Sequence, residues 1–123
     1  MAAVREAGTW LGVPVRHFCK QVRYCGNFYG QGPAGEPYPE LISPEALMNL
    51  LKSLEEGITE LACHPGDDPT LPSEYCAQRR QELFALTDSR MRPLLDEQGI
   101  RLCSFETAPL HFAKPPDESA AVP

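Results

Sequence analysis

The chain has 123 residues, 42% of them hydrophobic, and a formal net charge of −6. That length suits one domain and falls short of a complete eight-stranded barrel, which takes roughly 250 residues. The acidic balance, with no basic run longer than Arg79 and Arg80, argues against a nucleic-acid groove, because neutralising phosphates takes clustered Lys and Arg.

Residues 3–11 read as a short amphipathic helix, with Val4, Ala7, Trp10 and Leu11 near one face and Gly12 as its stop. Arg5 and Glu6 interrupt what a signal peptide would need as an unbroken apolar core. No stretch reaches the ~20 apolar residues of a membrane span, so a soluble, cytoplasmic protein without a membrane span is the expectation. "VPVRHF" reads as a strand, with Pro14 near its start. The following "CKQVRYCGNFYGQGPAGEPYPELI" is rich in Gly, Pro and aromatics and reads as a long ordered surface loop.

Ser43 is a good N-cap, Pro44 suits the first helical position, and Leu47, Leu50, Leu51 and Leu54 make the apolar stripe of a helix ending at Gly57. "ITELAC" is the second strand. Helices are expected over about 73–86, with Leu83 and Phe84 inward, and about 89–98, with Met91, Leu94 and Leu95 inward. Asp88 is the expected N-cap of the latter, Pro93 limits it, and Gly99 stops it. "IRLCSF" reads as a third strand, and from residue 108 to 123 the composition predicts a disordered tail. Helices alternating with short apolar strands predict an α/β fold, a partial (β/α) barrel of parallel strands with covering helices.

Five cysteines at irregular spacing contain no CxxC pair, so neither a zinc ribbon nor a thioredoxin motif is available. Strand alternation would put Glu60, Ala62 and His64 on one face, Leu61 and Cys63 on the other. Cys63 and His64 then cannot form a nucleophile–base pair. His64 falls at the carboxyl end of its strand, where α/β folds place ligand sites, and Pro65 and Gly66 turn the chain outward. An imidazole there can donate a proton to a leaving group; a lone histidine at a strand end is also commonly a hydrogen-bonded structural residue. The pair Asp67 and Asp68 reads as a solvated turn rather than as a ligand set.

Four segments in order, "RYCGNFYGQ", "ISPEALMNLLKSLEEGITELACHPG", "YCAQRRQEL" and "QGIRLCSFE", resemble the C-terminal half of the YdjC-like carbohydrate deacetylase family, which includes ChbG and the hopanoid-associated HpnK proteins. The resemblance spans about residues 3–107, and residues 1–107 are taken as one domain. It implies removal of an N-acetyl group from an amino sugar or glycolipid with a divalent metal, Mg or Zn. It further implies His64 as the general acid or a close hydrogen-bonding partner of the substrate, Arg16 as a catalytic-site cation that orients a catalytic aspartate or binds substrate, and Tyr29 as a sugar-binding aromatic. Glu60, Tyr75 and Arg79 are expected in supporting or structural roles, with Arg79 near enough to Glu82 for an exposed ion pair. The family's Asp-Asp and His-x-His motifs are not in this sequence, so no metal ligand is assigned. The expectation is an acid-bearing half-site that is inactive alone, pairing with a missing N-terminal half. The alternative is a non-catalytic remnant that pairs its open sheet edges with a second copy or another chain.

Overall fold

Residues 1–13 and 15–108 are described in the computed structural model. Among them are four α-helices and two β-strands: α1 (Ala2–Leu11), β1 (Val22–Cys25), α2 (Pro44–Lys52), β2 (Ile58–Leu61), α3 (Cys76–Leu86) and α4 (Met91–Glu97). Single 3₁₀ turns occupy Arg16–Phe18 and Pro39–Ile42. The class is α/β, with β1 and β2 paired in a two-stranded parallel sheet. A larger barrel wall is not present among the described residues. The chain divides into two compact units, residues 1–23 with the segment from Cys103, and residues 24–102. The expected tail lies, apart from Ala108, outside the described residues.

In the first unit α1 ends where expected, on Gly12 in the left-handed conformation at φ 65. Its apolar stripe stays exposed, Trp10 at 85%, and the buried helical residue is Gly8. A methyl group on Gly8 would meet Val15 Cγ2 at 2.6 Å, so only glycine permits this approach. Of "VPVRHF", Pro14 lies outside the described residues, and the described remainder forms no strand. The Phe18 and Cys19 N–H groups bond back to the Val15 and Arg16 carbonyls, each at 2.9 Å, which spends locally the donors a ladder would need. Phe18 takes the Arg5 guanidinium over its ring, 4.3 Å from the centroid.

The second unit holds the core: Phe28, Ile42, Leu47, Ala85 and Met91, with Met48, Leu50, Leu51, Leu61 and Leu86 packed against it. β1 lies inside the segment expected to be loop, and its pairing runs on through Ala62 N–H to Cys25 O at 2.9 Å. α2 starts as predicted. Ser43 Oγ accepts the Ala46 N–H at 3.1 Å, and Pro44 follows at the first helical position. The helix closes on Ser53, short of Gly57, whose φ of 118 turns the chain into β2.

α3 departs most from its expected orientation. Its buried row is Gln78, Glu82 and Ala85, while Phe84 is 67% exposed. These positions follow the i, i+4, i+7 spacing of one helical face; Ala85 joins the apolar core, while Glu82 meets the His64 N–H and the Tyr75 hydroxyl, donors that call for an acceptor rather than hydrocarbon. α4 buries Met91 and Leu94 as predicted and ends at Gly99, φ 65. Pro93 sits in its first turn, where a missing donor has no intrahelical use. Asp88 precedes the helix rather than capping it; its carboxylate accepts the Arg90 N–H at 2.9 Å. "IRLCSF" runs without strand pairing, because a strand needs a neighbour to take its ladder bonds and the described sheet has two members.

Candidate functional site

β2 ends at Leu61, so His64 stands three residues beyond the strand rather than at its end. Strand alternation therefore does not set its direction. α3 does. The Glu82 carboxylate accepts the His64 backbone N–H through Oε2, and the Arg79 guanidinium donates to the His64 carbonyl at 3.3 Å. Gly66 N–H closes the segment onto the Arg79 carbonyl at 3.2 Å. His64 and Gly66 of the "CHPG" segment are thus held by Arg79 and Glu82, about one turn apart on one face of α3.

Glu82 is 0% exposed. Its second oxygen, Oε1, accepts the Tyr75 hydroxyl at 2.5 Å, and the same Tyr75 oxygen accepts the Gly30 N–H at 2.7 Å. Both carboxylate oxygens act as acceptors. Oε1 also lies 3.8 Å from His64 Nδ1. The expected surface pair of Arg79 with Glu82 is corrected accordingly: the carboxylate is buried and serves His64 and Tyr75.

Aromatic rings complete the site. Tyr29 stacks on Tyr75 with centroids 4.8 Å apart, and its ring meets the His64 imidazole edge-on at 5.5 Å. His64 meets Tyr75 edge-on at 5.9 Å. Tyr75 is 6% exposed, Tyr29 38%, and the His64 side chain 44%. The imidazole therefore sits at the surface, neither in a closed barrel interior nor free in solvent. Burial pushes the Tyr75 phenol well above the ordinary tyrosine range, reinforced by its bond to Glu82. Partial desolvation, then the Glu82 charge, pushes the Cys63 thiol up, away from the reactive thiolate.

The remaining candidates are described by their own surroundings. Arg16 belongs to a 3₁₀ turn of the first unit, not to a strand end. Glu60 is half-buried in β2. Asp67 pairs with Arg80 Nε at 2.8 Å on the surface, and Asp68 accepts from Thr70 N–H and Oγ1 at 2.8 and 2.7 Å, a self-contained turn. Among the described residues no group of three or more His, Cys, Asp or Glu is placed to hold a metal ion. No described helix is long and apolar enough to cross a membrane.

Glu82 is the residue that sequence reasoning missed. Its signal was the seven-residue interval from Tyr75, two helical turns that return to the same face.

The chain is 34% identical over 73 residues to the chitooligosaccharide deacetylases of Yersinia pestis (strain Pestoides F), Yersinia pseudotuberculosis serotype O:1b (strain IP 31758) and Yersinia pestis bv. Antiqua (strain Angola). The match covers 55% of this chain and 29% of each relative, so the chain spans under a third of the length of the curated relatives it matches. No family model matches the chain. No solved structure matches it. The identity supports a relationship to carbohydrate deacetylases.

Proposed function

We propose that this chain forms the sugar-facing, proton-donating side of a carbohydrate deacetylase that hydrolyses the N-acetyl group of an amino sugar, free or lipid-borne. One observation carries the reading: a 44%-exposed imidazole, flanked by tyrosine rings and backed by a wholly buried carboxylate, in a chain 34% identical over 73 residues to chitooligosaccharide deacetylases. Nδ1 of His64 faces Glu82, which leaves Nε2 to give its proton to the departing amine. Tyr29 offers its ring to the hydrophobic face of a pyranose.

Amide hydrolysis also calls for an activated water. Among the described residues no group of three or more His, Cys, Asp or Glu is placed to hold the divalent metal that the family resemblance implies, and the proposal assigns this chain binding and protonation. The same proposal includes the parallel β1–α2–β2 crossover as a piece of a larger (β/α) barrel.

The test is an NMR titration of the ¹⁵N-labelled chain with an N-acetylglucosamine trimer, together with an acetate-release assay. Shifts concentrated at Tyr29, Gly30 and His64, and abolished in Tyr29→Ala, are expected; no shift there overturns the sugar-binding reading. Acetate release by the chain alone, with Mg²⁺ or Zn²⁺ added, overturns the restriction to binding and protonation.

A further inference from the structure

We infer that Glu82 is the positioning residue of this site, fixing both the backbone and the ring of His64 so that Nε2 is the nitrogen presented outward. The consequence for catalysis rests on the reading of His64 as proton donor; the structural inference stands without it.

Three observations converge on Glu82. Its side chain is 0% exposed, and burying a carboxylate is costly unless its charge is used. The two donors it satisfies, His64 N–H and Tyr75 O–H, need only an acceptor, which a neutral group could provide. The neighbour that distinguishes a charge from a neutral acceptor is the imidazole, whose Nδ1 lies 3.8 Å from Oε1. A negative charge there favours the proton on Nδ1 over Nε2 in the neutral ring. The same carboxylate bonds Tyr75, which accepts Gly30 N–H and stacks on Tyr29, so one buried charge sets both the proton donor and the aromatic platform. Other charged groups at the site are accounted for: Arg79 points its Nη1 at the His64 carbonyl, not at the ring, and Asp67 is held by Arg80.

The experiment is ¹⁵N NMR of the His64 ring in the full chain, at a pH where the imidazole is neutral. Wild type is expected to show the Nδ1–H tautomer. Glu82→Gln, which keeps the shape and one acceptor, is expected to shift the ring towards Nε2–H. Tyr75→Phe, which disturbs the same buried cluster but leaves the carboxylate opposite Nδ1, is expected to keep Nδ1–H. A wild-type ring in the Nε2–H form, or the same tautomer ratio in wild type and Glu82→Gln, overturns the inference. Should Glu82→Gln fail to fold, the wild-type tautomer still decides. A tautomer that responds as expected in a chain that ignores the N-acetylglucosamine trimer retains the positioning role and removes the deacetylase reading.

Discussion

The ring of Tyr29 lies almost flat on that of Tyr75, the planes 16° apart, so an exposed aromatic rests on a buried one. Tyr29→Ala is expected to cost about 0.5–1.5 kcal/mol beyond lost area, the usual worth of an aromatic pair. Urea denaturation measures it. The larger effect should fall on sugar binding, since the variant removes the platform while leaving Tyr75 and Glu82 bonded.

Tyr75→Phe removes a hydroxyl that donates to Glu82 and accepts from Gly30. A buried carboxylate oxygen and a buried N–H then each lack a partner, which costs about 1–3 kcal/mol in unfolding free energy. The pH dependence has a definite sign. The folded phenol is raised above its unfolded value of 10.0, so its contribution is fully present below that pH and is lost as pH climbs beyond it. Wild type should therefore lose stability steeply at strongly alkaline pH, and Tyr75→Phe should lose less over the same range, read by circular dichroism.

Gly30 is confined by the core. A methyl group on it would lie 2.5 Å from Ile42 Cδ1, and Ile42 is 1% exposed. Gly30→Ala must push Ile42 into a filled core or pull the Gly30 N–H away from Tyr75. Overpacking of this kind costs about 1–3 kcal/mol. Thermal denaturation should show the loss, and an unchanged midpoint would contradict the packing.

Acid should loosen the junction of α2 and α4. Arg90 donates to Asp88 and reaches Glu45 at 2.9 Å. Its side-chain and backbone hydrogen bonds hold Asp88 at about 2, below the ordinary 3.8, and backbone and Arg90 hydrogen bonds lower Glu45 as well. Stability from Asp88 is thus complete above its unfolded pKa and is lost as pH falls towards about 2. Asp88→Asn should flatten the thermal midpoint against pH between about 4 and 2, the interval set by the ordinary carboxylate value.

How much of this was legible in the sequence depended on where the cause of each element lies. α2 was legible because Ser43, Pro44 and the leucines act within one or two turns of the chain. The Gly12 and Gly99 stops were legible for the same reason. β1 was not, since "VRYC" is four residues long and becomes a strand only by pairing with residues more than thirty positions on. "IRLCSF" has better strand composition and forms none, for want of a neighbour. At the site, His64 and Tyr29 were read from residue type and resemblance, and the structure brings both against Tyr75. Arg16 was read from a strand that does not form. Glu82 escaped because charged residues on a helix are by default assigned to its wet face, whereas here the inward face of α3 answers to donors on loops.

In the Gly30–Tyr75–Glu82–His64 chain of bonds the two ends are backbone N–H groups and the two middle members are side chains, so neither Tyr75 nor Glu82 can be exchanged singly without stranding another member. Substitutions at these places should therefore travel together through descent. A lineage that loses the phenol still needs an acceptor at position 82 for the His64 N–H, and the glycine can vary only as far as Ile42 shrinks to make room.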